Sequence, residues 1–203
     1  LLATRFFLSK KGGALDNFSK FALKSELQMT ITEVRLSELP VLRDPAERTF
    51  RHAWQDMNEP EAFEMYCQEK FTVGQLQLEL ESPGAEFYFA KVDGLPAAYL
   101  KLNLDKDPGP SAEFDPADTW QGAAVQLERI YVLPGFQGQR IGEQLIRFTE
   151  ERARQTGSGW IWLSVWKKSP RSIHFYERNG YTIFGVETFW VGADPQPVPP
   201  AFG

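Results

Sequence analysis

Apolar and polar positions along the chain follow two periods, one near two residues and one of three to four, which predicts strands interleaved with helices. Ile31, Val34 and Leu36 predict a strand over 31–36. Residues 38–70 read as two helices separated near Asn58-Glu59-Pro60, with Asn58 placed to cap the second. Thr72 caps a short helix in which Leu76 and Leu80 share a face. Phe87 to Val92, the Asp93-Gly94 turn and Ala97 to Leu102 predict a hairpin. Residues 103–122 carry prolines, glycines and acidic residues at a density that predicts a long polar loop. A strand over 124–132 follows, closed by Pro134-Gly135. Ile141 enters a helix with its body at 142–156, where Leu145 and Phe148 keep the helical spacing and Gly157 is placed to end it. Trp160 to Val165 predicts a buried strand, Pro170 to Asn179 a helix stopped by Gly180, and Tyr181 to Val191 a last long strand. The tail from Ala193 has four prolines in eleven residues and reads as irregular, and no internal repeat is present.

Composition narrows the chemistry. The chain has 203 residues, 42% of them hydrophobic and 24% charged, enough for one domain with a sizeable core. Cys67, the single cysteine, has no intrachain partner, and with only His52 and His174 beside it a Cys/His zinc cage is excluded; no metal is expected. No apolar run reaches the roughly 20 residues that cross a bilayer. A net charge of -5 and a pI near 5.2 argue against extended nucleic-acid binding and for cationic partners, and the cysteine usage suggests a cytoplasmic setting. Charge is uneven. Residues 1–28 hold five basic and two acidic residues, a balance of +3 that leaves -8 for the rest. Met29 is the first methionine and lies just before the first predicted strand. Residues 1–28 are therefore expected to be an extension outside the domain, 29–192 the domain itself, and 193–203 a tail. Phe6-Phe7-Leu8 is too short for the apolar region of a secretory signal.

The segment richest in chemistry runs from Leu127 to Gly142: a strand, a turn, then Gly138 and Gly142 bracketing Gln139, Arg140 and Ile141 at a helix entry. Glycine lets backbone approach a bulky anion, and the free N–H groups of the first helical turn point toward it. The turn by itself is equally a plain structural connection. It is not a Walker loop, because no Gly-Lys-Ser/Thr follows, and it lacks the Gly-x-Gly-x-x-Gly dinucleotide spacing.

Two motifs in order settle the context. Val132, Pro134, Gln137, Arg140, Ile141 and Gly142 resemble the Gln/Arg-x-x-Gly-x-Gly/Ala signature of the GNAT superfamily of acyl-CoA-dependent N-acetyltransferases, with Arg140 where that family usually has its middle glycine. Downstream, Val165 to Tyr181 resembles the family's closing motif, with Ser169 in place of the usual asparagine and Phe175-Tyr176 as its aromatic-tyrosine pair. The resemblance covers about 29–192, and Arg129 to Val132 with Val165-Trp166 look most like the bacterial polyamine-type branch. It implies a mixed α/β GNAT fold: a mostly antiparallel twisted sheet, splayed between its fourth and fifth strands and flanked by helices.

It further implies acetyl-CoA as co-substrate and no metal. The backbones of Ile130, Tyr131 and Val132 would pair with the pantetheine arm, Gln137, Gly138, Gln139, Arg140, Ile141, Gly142 and Glu143 would hold the pyrophosphate, and Ser169 would sit near them. The activity implied is direct transfer of an acetyl group to a primary amine of a small molecule or peptide. The alternative is a non-catalytic acyl-CoA-binding regulatory domain of the same fold. Freeing an ammonium of its proton at neutral pH costs roughly 4–5 kcal/mol, so a base is useful. Glu128 is the candidate, on the strand that would carry the thioester, and alternation places it on the face of Ile130 and Val132. Tyr176 is the candidate acid for the leaving thiolate, against the plainer reading of a core-edge aromatic. Cys67 reads as a packed helix residue, His52 and His174 as surface residues, and Trp160, Trp162 and Trp166 as core. Asp56, Glu59, Glu61, Glu64 and the loop from Asp105 to Asp118 would draw a cationic acceptor, unless they are only a solvated face. A homodimer is expected, with Phe189 and Trp190 offering an apolar surface.

Overall fold

A computed structural model describes residues 2–11, 29–57, 59–109 and 122–190. Seven strands form one sheet: β1 (Leu2–Lys11), β2 (Met29–Glu33), β3 (Ala85–Val92), β4 (Leu95–Asn103), β5 (Ala124–Val132), β6 (Trp160–Trp166) and β7 (Thr182–Trp190). Their order is β2-β3-β4-β5-β6-β1-β7, and every neighbouring pair is antiparallel except β5 with β6. Helices α1 (Leu39–Trp54), α2 (Pro60–Lys70) and α3 (Val73–Leu80) cover one face, while α4 (Ile141–Gln155) and α5 (Pro170–Arg178) cover the other.

Strand alternation builds the two cores. On β3, Phe87 and Phe89 pack toward α1–α3 with Leu42, Ala46 and Leu76. Tyr88, Ala90 and Val92 pack the other way, with Leu145 and Ile146 of α4. The Asp93-Gly94 turn has φ 50° and 79°, the left-handed pair that a two-residue hairpin requires. Thr72 caps α3 as expected, accepting from Gln75 N at 3.1 Å. The cap of α2 is Glu59, which accepts from Ala62 N at 2.9 Å; Asn58, the expected cap, lies outside the described residues. The first strand is also shorter than expected, because the chain turns into a 3-10 segment at Leu36–Glu38.

The largest departure is at the start of the chain. Residues 2–11, expected to lie outside the domain, form a strand between β6 and β7, paired from Arg5↔Trp166 to Lys11↔Trp160 on one side and from Leu2↔Trp190 to Ser9↔Thr182 on the other. Leu8 is fully buried in the core beneath α4, Phe7 packs on Trp162 and Phe184, and Lys10 Nζ reaches Glu150 at 2.7 Å and the Asn179 carbonyl at 3.0 Å. The physical reason is legible afterwards: Phe6, Phe7 and Leu8 are too few for a signal but enough for a buried strand. β1 is also the strand that joins β7 to the sheet. The acidic loop is described only to Gly109 and from Gly122, and the side chains of Phe189 and Trp190, on which the dimer expectation leaned, lie outside the described residues.

Leu8→Ala removes a fully buried side chain and is expected to cost about 2–5 kcal/mol in urea unfolding. A strand that contributed nothing to the fold would leave the midpoint where it is.

Candidate active site

The parallel pair β5–β6 is joined only at Ala124↔Trp160, Val125↔Ile161 and Gln126↔Trp162. Beyond Gln126 the strands part. From Leu127 to Val132 the edge of β5 that faces β6 has no strand partner among the described residues, while its other edge stays paired with β4 up to Val132↔Ala98. This is the expected splay, falling between β5 and β6 because β1 precedes them in the chain. Along Ile130, Tyr131 and Val132 the alternation set by Leu133 N on Ala97 O turns the N–H and C=O of Tyr131 to β4 and those of Ile130 and Val132 to the open edge, which suits an extended amide-bearing chain.

The open edge leads into an anion cradle. After a 3-10 turn at Pro134–Phe136, Gly138 has φ 79° and Arg140 φ 60°, both left-handed, and α4 starts at Ile141 with no side chain capping it. Left-handed residues on either side of Gln139 are suited to presenting backbone N–H groups to an anion, and an uncapped helix start adds more. Arg140 thus takes a conformation suited to the glycine the motif would have, with its own side chain exposed. The Gln137 side chain folds back, its Nε2 donating to the Val132 carbonyl at 3.3 Å, and Gln139 Nε2 donates to Gly135 O at 3.3 Å. Gly142 serves packing: a Cβ there would stand 3.2 Å from Phe175 Cζ. Glu143 is half-buried in the first turn of α4, where its backbone rather than its carboxylate suits an anion. Ser169 is the N-cap residue of α5, with its hydroxyl making no cap bond and its N–H on Trp166 O at 2.9 Å.

Tyr176 projects from α5 into the same region, half-buried, with its ring edge-on to Phe175 and Tyr181 at 5.2 and 5.9 Å. Burial, with Tyr131 adding to it, raises its pKa well above the ordinary phenol value, so it keeps its proton. Tyr131 lies on the opposite face of the sheet. Its hydroxyl accepts from Trp54 Nε1 at 3.2 Å, and the Trp54 ring is 5.4 Å from that of Trp166 at the end of β6. Side chains from both faces thus meet where β5 and β6 part.

Glu128 is not on the face expected of it. The β4–β5 register shifts between Lys101↔Arg129 and Leu102↔Leu127, leaving Glu128 as an extra, bulged residue. Val125 and Leu127 before the bulge, and Ile130 and Val132 after it, pack on the α4–α5 side. Glu128 instead turns toward α3 together with Arg129. Its carboxylate receives Lys101 Nζ at 2.8–2.9 Å, Asn103 Nδ2 at 2.7 Å and Arg129 Nη2 at 3.1 Å. Lys101 and Arg129 also reach Glu79 Oε2, each at 2.9 Å. Burial pushes the Glu128 carboxyl up, but Arg129 and Lys101 outweigh it and hold it below the usual carboxylate range. Arg129 Nη1 and the Tyr99 hydroxyl are buried beside this cluster with no hydrogen-bond partner among the described residues.

Lys101, Glu79 and Trp54 were not singled out in the sequence. A lysine inside the otherwise apolar run Ala97 to Leu102 was the available signal, since a buried ammonium requires a carboxylate. The proposed acidic funnel is partly spent: Glu59 caps α2, and Glu64 pairs with Arg51 at 2.7 Å, while Asp56 and Glu61 are exposed. Cys67 is buried and its thiol pushed up by burial, and His52 and His174 are exposed. Among the described residues no cluster of three or more metal-ligating groups occurs, and no helix is long and apolar enough to cross a membrane.

Residues 47–181 match the family model described as "Acetyltransferase (GNAT) family". The chain belongs to the GNAT acetyltransferase family. An uncharacterized N-acetyltransferase from the pepI 3′ region of Lactobacillus delbrueckii subsp. lactis is 34% identical over 166 residues, covering 82% of this chain and 91% of that protein. Streptothricin acetyltransferase of Streptomyces lavendulae is 37% identical over 64 residues, 32% of this chain and 34% of the relative. Among solved structures, PaiA N-acetyltransferase from Thermoplasma acidophilum in complex with coenzyme A superposes with a TM-score of 0.60 at 18% identity, covering 75% of this chain and 88% of that one. The GNAT chain is an acyl-CoA-dependent N-acetyltransferase, and its open β5 edge and left-handed cradle fit such a co-substrate.

Gly138→Ala would force a Cβ into the left-handed region and is expected to cost about 1–2 kcal/mol of stability and to weaken acetyl-CoA binding in titration calorimetry. Arg140→Gly relaxes the same kind of strain and is expected to leave stability equal or higher.

Proposed function

We propose that this acetyltransferase moves the acetyl group of acetyl-CoA directly to a primary amine of a small molecule or peptide. The observation that carries the proposal is the open edge of β5, which runs from the bulge at Glu128 to the cradle before α4, with Tyr176 facing it from α5. The cradle's N–H groups bind the pyrophosphate, Ile130 to Val132 pair with the pantetheine amides, and Ser169 lies at the start of α5 beside them. The thioester end then falls toward Glu128.

The chemistry asks little of the protein beyond placement. The amine nitrogen bonds to the thioester carbonyl carbon, the C–S bond breaks, and the sulfur leaves with the electron pair. Tyr176 supplies its hydroxyl proton to that thiolate as it leaves and regains one from water at product release; with a raised pKa it enters each turnover in the donor form. Glu128 takes up the amine's proton through a water that uses the lone-pair position its three donors, Lys101, Asn103 and Arg129, leave open. Held below the ordinary range, it stays ionised through neutral and mildly acidic pH. The residues Arg129 to Val132 support a polyamine-like or otherwise cationic acceptor, which Asp56 and Glu61 would attract at the mouth between α1 and α2.

Tyr176→Phe is expected to lower kcat by about 10²-fold or more with little change in the KM for acetyl-CoA, measured as free CoA released over a panel of amines. Glu128→Gln is expected to lower kcat/KM for the amine by a similar factor. In the wild type, kcat/KM should rise with pH as the amine loses its proton, with no limb from Tyr176 at or below its ordinary value near 10. Wild-type turnover in Tyr176→Phe would overturn the acid assignment, and acetyl-CoA binding without turnover on any amine would overturn the proposal.

A further inference from the structure

Lys101 lies mid-strand on β4, and its side chain is only 3% exposed. It enters the α1–α3 face over the ring of Phe87, with its ammonium 5.3 Å from the ring centre. One carboxylate would suffice to neutralise it, and Glu79, equally buried, provides one at 2.9 Å. The bulge on β5 brings a second. Counted back from Ile130 and Val132, strict alternation would turn Glu128 to the α4–α5 side, and the bulge lets it and Arg129 both face Lys101.

The contacts of Glu128 are fully specified. One oxygen meets Lys101 at 2.9 Å and Arg129 at 3.1 Å, and the other meets Lys101 at 2.8 Å and Asn103 at 2.7 Å. These are three donors, with Lys101 straddling both oxygens, and they leave one of the carboxylate's roughly four lone-pair positions open. The charged and titratable groups facing the cluster are Glu79 from α3, Lys101 and Tyr99 from β4, Arg129 and Tyr131 from β5, and Tyr66 from α2. Two cations balance two carboxylates. Removing Lys101 alone leaves Glu79 and Glu128 sharing Arg129, a buried site with one negative charge in excess.

We propose that Lys101 is a positioning residue for Glu128, keeping that carboxylate ionised and in one orientation beside the open edge of β5. The role of Glu128 in turnover rests on the function proposed above, whereas the hold of Lys101 on Glu128 does not. The experiment separates the two. The Glu128 side-chain carboxyl is followed by ¹³C NMR against pH, assigned by its loss in Glu128→Gln, and the pH profile of kcat/KM is recorded alongside.

In Lys101→Met and in Lys101→Gln, with folding checked by circular dichroism, the Glu128 midpoint is expected to move upward. A new acid limb should appear in kcat/KM, falling about tenfold per pH unit below that midpoint. Glu79→Gln breaks the same cluster but removes negative charge, and should not raise the midpoint. An unchanged midpoint in both lysine variants, or an equal rise in Glu79→Gln, would overturn the proposal in favour of a cluster that only ties α3 to the sheet. A raised midpoint together with wild-type turnover in Glu128→Gln would leave Lys101 in its role and overturn the reading of Glu128 as base.

Discussion

The structure turns on the parting of two parallel strands. β5 and β6 share three residue pairs and then separate, and each is held in place from its outer side, β5 by β4 and β6 by β1. Exposed strand edges normally invite pairing. Here neither strand can move to close the gap without giving up an antiparallel ladder on its far side. β1 is essential to this balance, because between Leu163 and Trp166 its pairing with Phe6 to Leu8 and Arg5 is what β6 has for strand neighbours.

Much of the site follows from that gap together with the bulge at Glu128. The bulge reverses which residues of β5 face which helix layer, so charged groups collect on the α1–α3 side and Tyr176 approaches from the α4–α5 side. The gap brings the two sets to one space, where the Trp54 ring meets that of Trp166 and Tyr131 adds to the raised pKa of Tyr176. An uninterrupted sheet would have insulated them by the thickness of its own backbone.

The sequence shows part of this clearly and is silent on the rest for physical reasons. Helix and strand periodicity, Thr72 as a cap, the Asp93-Gly94 turn and the entry to α4 are local properties, decided within a few residues, and they read correctly. The bulge depends on the register between β4 and β5, which no single strand encodes. So the sequence marks Glu128 as a candidate but alternation puts it on the wrong face, and only the apolar run around it marks Lys101. β1 was misplaced because its partners lie more than 150 residues away, at Trp160 to Trp166 and beyond; its composition, mixed basic and aromatic, looks like an appendage until β6 and β7 are set beside it. Arg140 was read as a departure from the motif, yet its backbone takes the left-handed shape that the position calls for.

The contact between Gly142 and Phe175 carries one more consequence. The first turn of α4 and the body of α5 touch at a point where a methyl group would already be tight. Phe175 is the immediate neighbour of Tyr176, and its ring lies edge-on to the tyrosine. The start of α4 and the Tyr176 side chain are therefore parts of one packed bracket. A shift at the start of α4 is passed through Phe175 to Tyr176, so in the function proposed above the two ends of the site answer to each other's alignment.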